Sequence, residues 1–373
     1  MNKKQGRIYF SPIFILTITY ICVIILIKEG EEPMIYLDNY SYAPVLQCVK
    51  NNIPKYLNYV GNPYVEHTCG AQQYMRIQAV RRRVAEFLGV DDASHILFAP
   101  NATYANALIA HKRVVYGNKD WLHNNLTMNM GQNLKSDLKS VFFHTMVNGT
   151  TGLVNTEEYY PNNVLMALDA TSSMPSLSWN KKDIDKYDFV VFDSAKMGNI
   201  QGCCVMYIRD FSQVVPFYNG SATQERGIIS GTVNILPILT LGDVLDFWKH
   251  HREIITQYTE YKTILKNYIN MYLPNDIKIV KNTAPNFFSF CTRTEAHVMQ
   301  RYLDMYDICV GVGSACTSDS TKPYNIVKNL NFGEEFEKGL IRLSFAPTTT
   351  KNEIYQTCEI ISKVVKECGN DNC

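Results

Sequence analysis

Apolar residues recur at helical spacing along the stretch AQQYMRIQAVRRRVAEFLG, which covers residues 71–89. Ile77, Val80, Val84 and Phe87 fall on one face of such a helix, and Gly89 suits the left-handed conformation that ends many helices. The pattern therefore predicts an amphipathic helix over residues 71–88.

Short, continuous apolar runs follow this helix, and each has the length and side-chain bulk of a buried strand. With helices between them, such strands form a mostly parallel α/β sheet. After about residue 245 the pattern changes to longer helices, as in DFWKHHREIITQYTEYKTILKNYI, with few strands, which predicts a second, smaller α+β domain. The five runs are HILFAP, SVFFHTM, VLMALDA, DFVVFDS and CCVMYI.

An apolar segment without charged residues covers residues 8–27, which is long enough to cross a bilayer as a helix. No small-residue cleavage pattern follows it, so a retained membrane anchor is expected rather than a signal peptide. Lys3, Lys4 and Arg7 precede the segment, and the positive-inside rule then places the rest of the chain in a lumen. A product that starts at Met34 would lack the segment, and the sequence leaves both forms open.

Charge and cysteine content narrow the class of protein. The 36 basic and 35 acidic residues nearly balance, so no nucleic-acid partner is expected. The 11 cysteines form no CxxC pair and have no histidines at ligand spacing. This distribution argues against a disulfide framework or a zinc site, and it favours a reducing compartment over a lumen.

Two charged residues lie where predicted strands end. Asp169 ends the run in LDATSS, and Lys196 follows another run in FDSAKMGNIQG. Alone, the first is typical of a turn and the second of a solvated surface. Together they are what a pyridoxal 5'-phosphate site requires, because the lysine bonds covalently to the cofactor and the carboxylate keeps the pyridine nitrogen protonated.

Cys316 lies in GVGSACTSDS, a run of small residues with no large side chain to pack around the thiol. Buried structural cysteines usually have bulky apolar neighbours, so this run predicts an exposed thiol on a pliable loop. A phosphate cradle is not indicated, because GVG lacks the GxGxxG spacing.

Ten motifs, in the same order along the chain, resemble those of NifS/IscS-type cysteine desulfurases in the class V aminotransferase family of pyridoxal phosphate enzymes. The resemblance covers about residues 35–355. The motifs are IYLDNYSYAPV, GNPYVEHTCG, FAPNATYANAL, VNGTTG, DATSS, FDSAKMGNIQG, QERGIISGT, APNFFSF, GSACTS and IRLSF.

The resemblance implies an α/β fold, that of a fold-type I pyridoxal phosphate enzyme. It places a large cofactor-binding domain at residues 46–248, with a mostly parallel sheet of the seven-stranded type. A smaller α+β domain would combine residues 34–45 with residues 249–373 and carry the cysteine loop. Residues 1–33 would form an N-terminal extension.

The resemblance also implies roles for single residues. Lys196 would bond to the cofactor and move the proton of the substrate α-carbon, and Asp169 would contact the ring nitrogen. Arg342 would grip the substrate carboxylate, a task suited to its bidentate fork. Cys316 would take the substrate sulfur as a persulfide, and Thr232 would reach the phosphate of a neighbouring subunit, which implies a homodimer. The other implied contacts are those of Asn148 with the ring hydroxyl, Thr103 with the phosphate, Ala102, Ser172 and Ser194 with the cofactor, and Asn39 with the substrate.

Four positions depart from the family pattern. The serine and histidine of the family's lysine motif are Asp193 and Ala195 here, so two phosphate contacts are lost and a carboxylate that repels phosphate is added. The family's glutamine in DAxQS is Ser172, and the arginine of RSGT is Ile229. Reduced cofactor affinity and turnover are therefore expected.

The chain between Thr103 and Asn148 is shorter than in the family, and this region normally supplies a histidine that stacks on the cofactor ring. His123 in WLHNN is the candidate for that role, ahead of His111 and His144.

The predicted reaction removes sulfur from L-cysteine to give L-alanine and a persulfide on Cys316, which passes its sulfur to an acceptor protein. One alternative is a degenerate homologue with a binding or virion-structural role, because the divergence is similar to that of NifS-like proteins of some large DNA viruses. Another class V activity, such as selenocysteine lyase or aminotransferase, also stays open. Retention of GSACTS favours sulfur chemistry.

N-glycosylation acceptor patterns bear on the compartment, and they begin at Asn101, Asn125, Asn148 and Asn219. Asn101 and Asn148 lie in motifs of the implied cofactor pocket, where a glycan would obstruct the site. The sequence therefore predicts that the chain from residue 34 onward faces the cytosol. Either the segment at residues 8–27 inserts against the charge bias, or a form that starts at Met34 predominates.

Overall fold

A six-stranded and a five-stranded β-sheet organise the part of the chain that the structure describes. The computed structural model describes residues 34–117, 138–155, 162–177, 181–218, 224–313 and 325–370. Residues from Tyr36 onward belong to one compact unit. The larger sheet is built from residues 96–208 and the smaller from residues 35–37 and 277–344. The domain boundaries given above stay a prediction.

The larger sheet has the strand order β2-β7-β6-β5-β4-β3. β3, β4, β5 and β6 pair in parallel, and β7 pairs antiparallel with both β6 and β2. Five of its six strands thus share one direction, which confirms the predicted mostly parallel sheet. The strands are β2 (Ile96–Ala99), β3 (Val115–Gly117), β4 (Val141–Thr145), β5 (Leu165–Asp169), β6 (Phe189–Asp193) and β7 (Cys204–Ile208).

The direction of β7 follows from the connection before it. Only residues 194–203 join β6 to β7, whereas a parallel crossover takes a dozen residues or more. The five apolar runs predicted as strands are β2, β4, β5, β6 and β7, so those predictions are confirmed. β3 was missed, because its three residues are partly or fully exposed and give no apolar run.

The smaller sheet has the order β1-β10-β11-β9-β8 and joins the first described strand to strands near the end of the chain. β10, β11, β9 and β8 pair antiparallel. Beyond β1, the Asn39 backbone N–H donates to the Ser344 carbonyl oxygen over 3.4 Å. The strands are β1 (Ile35–Leu37), β8 (Ile277–Ile279), β9 (Phe287–Thr292), β10 (Ile308–Val312) and β11 (Leu340–Ser344).

The predicted amphipathic helix is confirmed as α2, Thr68–Leu88. It begins three residues before the predicted start, because the His67 Nδ1 accepts the Gly70 N–H over 3.1 Å and caps the first turn. Gly89 ends it with φ = 72°, a conformation that favours glycine. The other helices are α1 (Gln47–Leu57), α3 (Ala102–Ala110), α4 (Lys181–Ile184), α5 (Ile235–His250), α6 (Glu253–Tyr272), α7 (Ala296–Met305), α8 (Asn325–Lys328) and α9 (Lys351–Asn370).

Helix α3 positions the candidate site. It packs on β2, β6 and β7, and Ala105, Leu108 and Ile109 join the apolar core of the larger sheet. Its polar N-terminal turn is left at the edge where β5 and β6 end.

In the part of the chain that the structure describes, no helix combines the length and the apolar character needed to cross a bilayer. The apolar segment at residues 8–27 lies outside the described residues, so the anchor stays a prediction.

Candidate active site

Asp169 and Asp193 are the last residues of the parallel neighbours β5 and β6. The carboxyl ends of parallel strands meet at one edge of a sheet, which is where ligands bind in open α/β folds. Lys196 lies at the same edge, in the 3-10 turn Ser194–Met197 that follows β6. The structure thus brings together the strand-end carboxylate and the lysine that the sequence singled out.

The Asp169 carboxylate is held by two donors. The Asn106 Nδ2 donates to its Oδ2 over 2.9 Å, and the Thr171 backbone N–H donates to its Oδ1 over 3.1 Å. Burial raises the pKa of Asp169, and these hydrogen bonds only partly oppose the rise. Among the described residues, no cation acts on this carboxyl group. A cationic N–H, such as that of a protonated pyridine ring, fits this unpaired acid.

Asn106 of α3 was missed in the sequence. Its side chain is buried, and its Oδ1 has no partner among the described residues. The available signal was a single amide inside the apolar stretch ANALIA, where a buried polar side chain needs a partner.

Replacing Asp169 with asparagine should stabilise the cofactor-free protein, because the buried charge disappears and the new amide can donate to the Asn106 Oδ1. The folded-state pKa of Asp169 is raised, so the folded protein binds its proton more tightly than the unfolded chain does. Wild-type stability therefore falls as pH rises from the ordinary carboxyl pKa through the raised one, and the variant lacks this fall. Urea unfolding of both proteins across acidic and neutral pH measures the difference.

Asp188→Asn is the matched control, because the Asp188 Oδ2 accepts the Met166 N–H over 2.8 Å near the start of β5, at the other end of the strand. This control should not stabilise the protein. A stability gap between Asp169→Asn and wild type that does not widen with pH would contradict the raised pKa.

Lys196 is held by the segment that follows β1. Its Nζ donates to the carbonyl oxygens of Tyr40 at 2.5 Å and Ser41 at 2.7 Å. The same Nζ lies 5.0 Å from the centroid of the Tyr40 ring. Carbonyl oxygens and an aromatic face both attract an ammonium group, so this surrounding stabilises the charged lysine.

Asp193 lies against the N-terminus of α3. Its Oδ1 accepts the Ala195 N–H over 3.0 Å, and the backbone N–H groups of Ala195 and Ala102 both act to lower the pKa of the carboxyl group. Burial raises the pKa of Asp193, and the positive charge of Lys196 partly opposes this. The helix terminus to which the resemblance assigns the phosphate is therefore approached by a carboxylate of the protein itself.

The other predicted phosphate and cofactor contacts differ in accessibility. Thr103 is exposed in the first turn of α3, and Ala102 is partly buried. Ser194 is fully buried, and its hydroxyl donates to the Cys203 carbonyl oxygen over 2.6 Å while accepting from the Asn199 Nδ2 at 2.9 Å. The Ser194 hydroxyl is thus engaged in the protein's own hydrogen bonds.

Asn148 is fully buried, and its side-chain amide is hydrogen-bonded through the oxygen but not through the nitrogen among the described residues. Its Oδ1 accepts from the backbone N–H groups of Thr150 at 2.9 Å and Thr151 at 2.8 Å. Its Nδ2 has no partner among the described residues. Because an orphaned buried donor is costly, this Nδ2 fits an acceptor on a bound group, such as a ring hydroxyl oxygen.

Arg342 lies on β11 and is 1 % exposed. Its Nη1 donates to the carbonyl oxygens of Gly149 at 2.8 Å and Gly313 at 2.6 Å. Its Nη2 donates to the Asp38 Oδ1 at 2.9 Å and the Ser41 Oγ at 3.2 Å, while its Nε has no partner within the described chain. The pairing with Asp38 was missed in the sequence, where the only signal is a carboxylate directly after β1.

The remaining predicted residues are placed as follows. Asn39 is 6 % exposed, and its Oδ1 has no partner among the described residues. Its side chain lines a small cavity together with Lys196. The Ser172 Oγ lies 3.0 Å from the Tyr40 hydroxyl, and Thr232 is exposed. Cys316 and His123 lie outside the described residues.

The two secondary histidine candidates belong to the part of the chain that builds the larger sheet. His144 on β4 is buried, and its Nδ1 contacts the Tyr187 hydroxyl at 2.6 Å. His111 follows α3, with its ring 4.9 Å from that of Phe217. Burial lowers the pKa of both imidazoles, which favours their neutral forms.

Comparison with known proteins gives one family. The model of the class-V aminotransferases matches residues 35–120 and 113–356. The chain is 25 % identical to a cysteine desulfurase of Nostoc sp. over 380 residues, which covers 89 % of this chain and 93 % of the relative. It is 26 % identical to the cysteine desulfurase IscS of Buchnera aphidicola over 384 residues, covering 89 % and 92 % of the two chains.

Solved structures agree in fold. The NifS-like protein of Rickettsia africae superposes with a TM-score of 0.74 at 22 % identity, over 89 % of this chain and 99 % of that chain. The apo cysteine desulfurase of Thermococcus onnurineus superposes with a TM-score of 0.75 at 18 % identity, over 90 % and 95 %.

Proposed function

The chain belongs to the class-V aminotransferase family, and from that premise we propose that it is a pyridoxal phosphate-dependent cysteine desulfurase. One observation carries the proposal. The Lys196 Nζ and the Arg342 guanidinium carbon lie 5.0 Å and 4.8 Å from the centroid of the same ring, that of Tyr40. The lysine at the sheet edge that holds the buried Asp169 thus shares one aromatic ring with the arginine that the family resemblance assigns to the substrate carboxylate.

The described residues fit the cofactor. When bound, pyridoxal phosphate withdraws electrons from the substrate α-carbon. Asp169 would pair with the ring nitrogen, and the free Asn148 Nδ2 would donate to the ring hydroxyl oxygen. Lys196 would bond to the cofactor, and Thr103 with the first turn of α3 would face the phosphate.

Three residues of the chain would then act on L-cysteine: one would orient it, one would take its α-proton and one would accept its sulfur. The Arg342 Nε, which has no partner within the described chain, would orient the substrate carboxylate. The Lys196 amine would take the proton of the α-carbon. Cys316 would attack the substrate sulfur, so that a sulfur–sulfur bond forms on Cys316 as the carbon–sulfur bond breaks. The balance is L-cysteine plus the Cys316 thiol in, and L-alanine plus the Cys316 persulfide out.

Incubation of the cofactor-loaded protein with L-cysteine and dithiothreitol tests this function. The dithiol reduces the persulfide, so sulfide and alanine should appear in equal amounts. 3-Mercaptopyruvate in place of alanine and sulfide would indicate transamination, and pyruvate with sulfide would indicate β-elimination. The absence of both sulfide and alanine would contradict an active desulfurase. The cysteine desulfurases among the relatives favour sulfur removal over selenocysteine lyase activity or a virion-structural role.

Replacing Asp193 with serine should tighten cofactor binding by about tenfold, because it removes roughly 1.4 kcal/mol of repulsion between the carboxylate and the cofactor phosphate. Absorbance titration of the cofactor-free protein with pyridoxal phosphate gives the dissociation constant. Asp210→Ser is the control, because the Asp210 Oδ1 caps another 3-10 turn by accepting the Ser212 N–H over 2.9 Å. Equal affinities for Asp193→Ser and wild type would show that the carboxylate does not repel the phosphate.

The glycosylation acceptors support a cytosolic location for the chain from residue 34 onward. The Asn148 side chain is fully buried, and the Asn101 Oδ1 caps α3 by accepting the Tyr104 N–H over 2.8 Å. A glycan on the Asn148 amide is incompatible with its burial. Protein made in animal cells should therefore show no mobility shift after glycosidase treatment, whereas a shift would place the domain in a lumen.

Homodimer formation is supported by exposed apolar side chains on and just before α2. Val65, Tyr74 and Met75 are 43 %, 46 % and 64 % exposed and line one cleft with Arg226. Exposed apolar patches of this kind are typical of interfaces. The mass measured by light scattering should be twice that of the chain, and a monomer at micromolar concentration would contradict the assembly.

A further inference from the structure

Tyr40 lies between β1 and α1 in the sequence. Its ring contacts both cationic side chains of the candidate site, Lys196 and Arg342. Lys196 and Arg342 both lie over it, at the distances given above. Its hydroxyl is 3.0 Å from the Ser172 Oγ, and its ring centroid is 5.3 Å from that of the buried Phe287. Tyr40 is therefore fixed at both ends of its side chain.

Gly149 makes room for this ring. A Cβ built on Gly149 would lie 2.0 Å from the Tyr40 hydroxyl oxygen and 2.6 Å from its Cζ, which no real contact tolerates. Its φ is not in the left-handed region, so space, rather than backbone conformation, requires glycine here. The Gly149 carbonyl oxygen also accepts from the Arg342 Nη1 over 2.8 Å. Tyr40 and Gly149 thus fit as a pair beside the arginine.

Resting on the proposed function, we propose that Tyr40 is a specificity-determining residue that restricts the site to small 2-amino acids. A 2-amino acid carries its amino and carboxyl groups on one carbon, so a ligand held near Lys196 and Arg342 must lie close to the Tyr40 ring. A short thiol side chain gains favourable contact with an aromatic ring. A longer, branched side chain competes with the Tyr40 ring for space, and the contacts with Ser172 and Phe287 prevent the ring from moving aside.

Equilibrium binding of two amino acids to the cofactor-loaded protein tests this role. Wild type should bind L-alanine at least tenfold more tightly than L-leucine, as measured by calorimetry. Tyr40→Ala should remove that preference by tightening L-leucine binding, while Tyr40→Phe, which keeps the ring, should retain it. An unchanged preference in Tyr40→Ala would overturn the inference about Tyr40 alone. Failure of wild type to bind either amino acid would instead overturn the proposed function and the inference with it.

A second test uses the cofactor-free protein and needs no activity. Gly149→Ala should lower the melting temperature by several degrees in wild type and by much less in the Tyr40→Ala background, because the clash needs the ring. A Gly149→Ala protein that fails to fold alone but folds with Tyr40→Ala gives the same support. Gly242→Ala is the control, because its Cβ would meet only flexible side chains, those of Arg83 and Val80. Equal losses in both backgrounds would overturn the pairing.

Discussion

Lys196→Ala should abolish the near-visible absorbance of the lysine-bound cofactor and the trapping of cofactor by borohydride. Desulfurase activity should fall by on the order of 10³-fold or more, because the amine that bonds to the cofactor and moves the α-proton is gone. The fold should persist, since the loss of the hydrogen bonds to the carbonyl oxygens of Tyr40 and Ser41 costs about 1–3 kcal/mol of unfolding free energy.

Lys262→Ala provides the matched control for that variant. The Lys262 Nζ also donates to two carbonyl oxygens, those of Thr283 at 2.7 Å and Ala284 at 2.9 Å, and burial lowers its pKa to about 8. This control should lose stability and keep the cofactor absorbance. If Lys196→Ala retained the absorbance while Lys262→Ala lost it, the covalent lysine would be the wrong one.

Cys316→Ser should separate cofactor binding from sulfur transfer. The serine hydroxyl keeps the size of the side chain but is not a nucleophile toward sulfur at neutral pH. The variant should bind pyridoxal phosphate as tightly as wild type, and cysteine-dependent persulfide and sulfide should fall by on the order of 10³-fold. Mass spectrometry of the protein after a cysteine pulse should find the added sulfur on Cys316 in wild type and on no residue of the variant.

Cys69 supplies the control for an accessible thiol, because it is exposed in the first turn of α2. Cys69→Ser should leave both the persulfide and the sulfide rate unchanged. Sulfide release at the wild-type rate from Cys316→Ser would show that another group accepts the sulfur.

Strand positions were predictable because buried strands are continuous apolar runs, which is how β4, β5 and β6 were found. Strand direction was less predictable, because an apolar run looks the same whichever way the strand runs. β7 is antiparallel to β6 because the connection between them is short. The same reasoning placed Asp169 at the end of one predicted strand and Lys196 just after another. The structure brings them to one sheet edge because β5 and β6 are parallel neighbours.

The contacts that complete the site depend on tertiary structure and leave little trace in a local pattern. Asn106 reaches Asp169 across 63 positions of sequence, and Tyr40 reaches Lys196 across 156. Asp38 meets Arg342 across 304 positions. In the sequence, Asn106, Tyr40 and Asp38 look like ordinary polar or aromatic residues. Their contacts with the site form only when distant segments of the chain pack together.

The segment from Asp38 to Ser41 also sets when the site can form during synthesis of the chain. It leaves the ribosome early, but its partner Arg342 follows 304 residues later. At translation rates of about 5–20 residues per second, that interval is roughly 15–60 seconds. Asp38 cannot meet Arg342 until β11 has emerged, so the nascent chain carries an unfinished pocket throughout that interval. The finished site, and tight capture of the cofactor with it, should therefore appear only after β11 has left the ribosome.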